Sequence, residues 1–199
     1  MTYGYELFEQ ALRLLNGRLV LAGAPRFNLV VCGGSALAAT GLVTRTTKDV
    51  DVVALMDDDG VLLDPAPLPQ ALVLAAHEVA LDLGLHQDWL NNGPSSGEGG
   101  LFRLGLPERF VERLTWVVIG EKVTVGFISR YDQIPFKLYA AVDQSGSYHA
   151  EDLRELHPTD AELLDAAGWT RSHDPSEGYR QGLQWFLREF GYGHLVDRV

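Results

Sequence analysis

Apolar residues recur at helical spacing near the start of the chain: Leu7, Phe8, Ala11, Leu12, Leu14 and Leu15 return every three or four positions, which predicts an amphipathic opening helix over residues 5 to 15. The pattern then changes. FNLVVC, from Phe27 to Cys32, is a largely apolar run with two adjacent valines that stops at Gly33-Gly34, as a buried strand running into a tight turn does. SALAATGL follows as a short helix. DVDVVAL, from Asp49 to Leu55, reads as a second strand with carboxylates at its start and apolar residues carrying it into the core, and DDDG ends it. Residues 67 to 85 combine leading prolines with a long apolar stripe and predict a core-facing helix. NNGPSSGEGG reads as a loop.

Two β-rich segments, RLTWVVI and KVTVGFI, are joined by Gly120-Glu121 and predict a hairpin that extends the sheet. The remainder is helical in pattern: SRYDQIPFKLYAAVD with a proline interruption, then HAEDLREL, PTDAELLDAAGW and SEGYRQGLQWFLREFG. The expected fold class is α/β in the α+β sense, a mixed sheet flanked by helices with a helical C-terminal region. The expected division is a core over residues 1–128 and a helical region over 129–199 packed on it as one body. No internal repeat or low-complexity tract interrupts it.

Composition changes this picture little, and charge changes it more. The 199 residues are 46% hydrophobic and 22% charged, ordinary values for a globular chain. Sixteen basic against twenty-seven acidic residues give a net charge of −11, which argues against a generic nucleic-acid coat while leaving room for a local basic groove. Only Lys48, Lys122 and Lys137 are lysines, so each carries more weight. The lone cysteine, Cys32, lies in an apolar run and reads as a small buried hydrophobe in a reducing compartment. The N-terminal segment lacks the basic and apolar regions of a signal peptide, and no uncharged apolar run approaches about eighteen residues. The expectation is a cytoplasmic protein with no membrane partner.

Gly33-Gly34-Ser35 lies between a strand and a helix, where backbone amides and a hydroxyl at a helix N-terminus bind phosphate; the competing reading is a capped turn. Asp49 and Asp51 are two apart on a strand, so both carboxylates point to one face. A divalent cation gives two like charges a reason to sit together, and Mg²⁺, or Mn²⁺ in its place, takes oxygen ligands from one or two carboxylates plus substrate phosphates. The competing reading is a solvated strand end. Asp57, Asp58 and Asp59 read as a solvated turn. The histidines show no metal-binding spacing, and the four tryptophans read mostly as core. A Rossmann site fails because its fingerprint needs G-x-G-x-x-G, whereas Gly33 and Gly34 are adjacent.

The stretch VVCGGSALAATGLVTRTTKDVDVVAL resembles the nucleotidyltransferases of the DNA polymerase beta superfamily, whose hallmark is Gly-Ser followed by Asp-x-Asp on a strand. The intervening R-T-T-K resembles the AbiEii and MenT toxin branch. GFISRYDQIPFKLYAAVD followed by HAEDLREL is similar to the lysine and Asp-Leu motifs of those toxins, matching Lys137 and Asp152, although Lys-x-x-Ala and Asp-Leu-x-x-Leu also arise in ordinary amphipathic helices. The resemblance implies a nucleotidyltransferase-type sheet and a pyrophosphate-releasing transfer of NMP from an NTP, a pyrimidine nucleotide among the candidates, to an acceptor hydroxyl at the 3′ end of tRNA. It implies a growth-inhibiting toxin with a cognate antitoxin protein. Asp49 and Asp51 would hold the metal, and Gly33, Gly34, Ser35, Arg45 and Lys48 the nucleotide. Lys137 would neutralise triphosphate charge, and Asp152 would bind metal, orient Lys137 or act as a base. Thr47, with Thr46 and Ser35 behind it, is the candidate for an inactivating phosphorylation beside the carboxylates. The alternatives are transfer to a protein or small molecule, and a catalytically silent binding member.

Overall fold

The computed structural model describes residues 5–34, 36, 49–143 and 148–199. The chain divides into two compact units, Met1–Ser129 and Arg130–Val199.

The first unit opens with helix α1 (Tyr5–Leu21), longer than its first apolar stripe predicts because Leu19 continues the buried face. Strands β1 (Phe27–Cys32), β2 (Val50–Met56), β3 (Leu62–Leu63), β4 (Leu90–Asn91), β5 (Thr115–Val118) and β6 (Val123–Phe127) form one six-stranded mixed sheet. The main path runs β3-β2-β1-β6-β5, with β4 pairing β2 off that path. β1 and β6 are parallel, β1 and β2 antiparallel, and the β5–β6 hairpin antiparallel. The central strands are buried almost throughout, which is why β1 and β6 read as apolar runs rather than as alternating ones.

Helix α2 (Gln70–Leu83) ends at Gly84, whose φ of 64° makes a left-handed cap that only glycine adopts without cost. Trp89, fully buried, ties this helical layer to the sheet. Its indole N–H donates to the Ala76 carbonyl on α2 at 2.9 Å, its ring stacks with Phe8 of α1 at 6.4 Å, and its backbone carbonyl accepts from Val50 N–H at 2.6 Å. The first residue of β2 is thus anchored by a core tryptophan. Tryptophans do not all follow it inward: Trp116 and Trp185 are exposed.

The segment expected to be a loop is partly ordered against β2. Residues 90 and 91 form β4, Gly93–Ser95 is a 3₁₀ turn, and α3 (Leu101–Leu104) follows. The register of β1 on β2 shifts between Val30 and Val31, pairing them with Ala54 and Val52, so Val53 has no partner across the ladder. The buried Ser95 hydroxyl donates to the Val53 carbonyl at 2.7 Å. A polar loop residue thereby satisfies a group that the bulge removes from the sheet.

The second unit is helical: α4 (Arg130–Asp143), α5 (Tyr148–Glu155), α6 (Asp160–His173) and α7 (Glu177–Phe190), closed by a 3₁₀ turn over Gly193–Arg198. α4 packs against each of the other three helices. Every residue from 132 to 138 is buried, Pro135 among them, and the helix runs through that proline rather than breaking at it. Arg130 fastens the unit from below the first turn of α4. Its guanidinium donates to the Leu156 and His157 carbonyls at 2.7 and 2.8 Å and grips Glu162 in a fork at 2.5 and 3.0 Å. Glu162 also completes the capping box of Thr159 on α6. The Arg130 hydrogen bonds, joined by those from the Thr159 N–H and hydroxyl, outweigh burial and hold the Glu162 carboxyl down at about 2.

Candidate active site

In the sheet unit the chemistry gathers where β1 ends beside the start of β2. Antiparallel register sets Asp51 opposite Cys32, the last residue of β1, and parallel register sets it beside Asn91 of β4. Val50 and Val52 on either side of Asp51 are buried, so alternation turns the Asp51 side chain away from that apolar face, and it is half-buried. Asp49 lies one residue ahead of β2, also half-buried, rather than within the strand.

Gly33 makes this arrangement possible. Its φ is +73°, and a Cβ built on it would fall 2.5 Å from Asp51 Oδ2. The Asp51 carboxylate therefore occupies the space that a side chain at position 33 would need, and it lies against the turn backbone. Gly34 and Ala36 are helical and buried, so the turn at Gly33 passes from β1 directly into helix. A carboxylate pair preceding and opening β2 next to a glycine turn has the donor set for a hard cation: oxygen atoms only. Among the described residues no three His, Cys, Asp or Glu side chains form a group able to hold a metal ion.

In the helical unit Lys137 and Asp152 form an ion pair. Lys137 Nζ lies 2.6 Å from Asp152 Oδ2, with the side chains 7% and 2% exposed. The Tyr148 ring lies 5.8 Å from the ammonium. Lys137 is therefore not a solvated helix lysine. Gln133, one helical turn before it, and Asp132 are buried as well, which gives α4 three polar side chains where an amphipathic helix would carry apolar ones. Sequence reading passed over Asp132 and Gln133 because apolar neighbours mask them; their signal is position, since Gln133 is four residues before Lys137.

Of the residues singled out from sequence, the structure brings Gly33 against Asp51 and Lys137 against Asp152. Asp57 serves its own turn, accepting from the Asp59 and Val61 amides at 3.0 and 2.8 Å, while Asp58 and Asp59 are exposed. Asn91, missed in the sequence, is next to Asp51, but its side chain closes a local turn by accepting from Gly93 N–H at 2.7 Å. Ser35, Arg45, Thr46, Thr47 and Lys48 lie outside the described residues, as does nearly all of the short helix expected after β1.

No family model, no curated protein and no solved structure matches the chain. Among the described residues no helix is long and apolar enough to cross a membrane.

Proposed function

We propose that the chain is a metal-dependent nucleotidyltransferase that moves NMP from an NTP to an acceptor hydroxyl, with the 3′ end of tRNA as the leading acceptor and toxin action as its consequence. One observation carries the reading: the Asp51 carboxylate rests on the backbone of Gly33, so a turn suited to phosphate and a carboxylate suited to a cation adjoin at one end of two neighbouring strands. The acceptor oxygen attacks the α-phosphorus and loses its proton to a carboxylate or to solvent. The bond to the β-phosphate then breaks and pyrophosphate leaves. Gly33, Gly34 and Ser35 grip the departing phosphates, and Asp49 and Asp51 hold the ion, which when bound neutralises charge on the phosphates. Of the three candidate roles of Asp152, its ion pair with Lys137 favours orienting that ammonium.

Few side chains suffice because positioning and charge neutralisation supply most of the acceleration in phosphoryl and nucleotidyl transfer. The test is incubation of the protein and Mg²⁺ with each labelled NTP and total cellular RNA, followed by separation of RNA from protein. Label in small RNA that Asp51→Ala fails to produce is the expected result; label on protein alone selects protein as acceptor, and no label under any NTP overturns the reading.

A further inference from the structure

We infer that α5 is a hinged flap of the helical unit, latched by the Lys137–Asp152 ion pair, and that its opening uncovers Lys137 as a binding site for a triphosphate anion. The carboxylate and the ring placed at the Lys137 ammonium, Asp152 at 2.6 Å and Tyr148 at 5.8 Å, both belong to α5. With α5 in place the Lys137 side chain is 7% exposed, which leaves its ammonium donors little access to an anion from solution. When α5 leaves α4, Asp152 goes with it and Lys137 stays behind, in need of a new counter-ion.

Within its unit α5 buries the least. Of its eight residues Asp152 and Leu153 alone are buried, whereas α6 buries Leu163, Ala166, Ala167 and Thr170, and α7 buries Leu183, Phe186 and Leu187. A helix this short does not persist in water without packing. One of its two buried side chains is a carboxylate, and a buried ion pair holds its elements no more firmly than apolar side chains of similar size would. Segments with little buried apolar surface open ahead of the rest of a fold.

The two ends of α5 are held differently, and that sets the hinge. Beyond its C-terminal end, Arg130 donates to the Leu156 and His157 carbonyls, the Tyr192 hydroxyl donates to the Pro158 carbonyl at 2.9 Å, and Leu156 is buried. Arg154 lies 4.9 Å over the Phe190 ring of α7. His157 has a φ of 45°, so the backbone already turns sharply where the helix stops. The first turn, Tyr148 to Glu151, buries no side chain, and Tyr148 is 57% exposed. Pinned at one end and latched near its middle by two charges, α5 swings about residues 156–158. A triphosphate that takes the place of Asp152 beside Lys137 binds the open form alone and therefore favours it. The choice of a triphosphate rests on the proposed nucleotide transfer; the opening does not.

Hydrogen–deuterium exchange of the full chain, read by mass spectrometry under native conditions, tests the opening. The amides of residues 152–156, where the Leu156 N–H donates to the Asp152 carbonyl, should exchange at least about tenfold faster than the interior amides of α4, α6 and α7. Acetylation by N-hydroxysuccinimidyl acetate reads the latch, with Lys122 as internal reference, and Lys137 should be labelled at a rate that follows α5 exchange. Asp152→Asn should speed both by about tenfold or more. Inorganic tripolyphosphate should slow the labelling of Lys137 while speeding α5 exchange, and sodium chloride at equal ionic strength should do neither. Exchange of α5 in step with the other helices, labelling of Lys137 unmoved by Asp152→Asn in a folded variant, or tripolyphosphate without those opposite shifts would each overturn the proposal. Should Asp152→Asn fail to fold, the wild-type exchange pattern and the tripolyphosphate shifts decide it. None of these readouts requires turnover, so failure here is distinct from failure of nucleotide transfer.

Discussion

Asp51 on β2 and Asp152 on α5 are both acidic residues with neighbours suited to phosphate chemistry, and they are held in different ways. Asp51 is half-buried, placed by strand register, with room made for it by a glycine that has no side chain. Asp152 is 2% exposed and sits 2.6 Å from a lysine that is itself nearly buried. In the sheet unit strand register and the glycine turn place the carboxylate. In the helical unit the two charges hold each other, and each would be a liability without the other. The two carboxylates should therefore differ when they are removed, Asp51 costing activity with little stability and Asp152 costing stability as well.

The sharpest break of that comparison is at Asp51 and Asp49. Replacing either by alanine should lower the proposed nucleotide transfer by more than about a hundredfold while leaving the thermal midpoint within a few degrees of wild type, since each is a half-buried carboxylate at the start of a strand rather than a core side chain. Transfer rates and melting curves on the same preparations check both halves. Near-wild-type turnover by both variants would remove the sheet carboxylates from the chemistry.

Asp152→Ala should add a loss of stability that Asp51→Ala does not show. It leaves Lys137 buried without its counter-ion, at a cost of about 3–5 kcal/mol by the usual magnitude for breaking a buried pair. Replacing both partners with apolar residues of similar size, Lys137→Met with Asp152→Leu, should recover most of that stability and no transfer activity. Denaturant unfolding of the single and double variants measures the coupling. Additive losses would mean that the pair is not a unit.

These contrasts also mark how much was legible in the sequence. β1, β2, the β5–β6 hairpin and the long helices declared themselves because burial on one face or both imposes a period on the residues, and that period is local. β3 and β4, two residues each, are too short to carry a period. Residues 91 to 100 read as loop because Asn, Gly, Pro and Ser report turn preference, whereas the role of Ser95 depends on a bulge at Val53, far away in the chain. Pro135 read as an interruption, yet α4 is surrounded by its neighbours and tertiary packing carries it through. At the site, the spacing of Asp49 and Asp51 and the adjacent glycines were visible. That position 33 must be glycine because Asp51 fills its side-chain space was not, since that is a contact across the ladder. The pairing of Lys137 with Asp152 was hidden for the same reason, each residue giving only its own helical position.

Gly33→Ala tests whether the backbone is what holds Asp51. A β-carbon at φ +73° is strained, and it would collide with the carboxylate at 2.5 Å, so about 2–3 kcal/mol of stability should be lost together with most of the transfer activity. The informative variant is Gly33→Ala combined with Asp51→Ala, in which the collision is gone and only the backbone strain remains. Its stability should lie between wild type and Gly33→Ala. If the second substitution recovers nothing, the carboxylate is not what crowds position 33.

The smallest effect expected is at the clasp that joins α4 to the turn between α5 and α6. Glu162 has an ordinary carboxyl value of 4.5 when unfolded and is held down at about 2 when folded, chiefly by its hydrogen bonds from Arg130. A carboxyl whose folded value is depressed contributes stability that is full above the unfolded value and is lost as pH falls through the folded one. The window is therefore from about pH 4.5 down to about pH 2, and the loss is on the order of 2 kcal/mol for a group this close to the surface. Other carboxylates also titrate there, among them Asp64 and Glu112, which are likewise lowered, so the wild-type curve alone does not isolate the clasp. Glu162→Gln does, because it keeps an acceptor for Arg130 and the Thr159 amide but carries no titrating proton. The difference in stability between the two proteins should be largest above pH 4.5 and should shrink toward zero on acidification. A difference that stays constant with pH would show that Arg130 holds Glu162 by geometry alone, which would bring the clasp closer to the backbone-held Asp51 than to the charge-held Lys137 and Asp152.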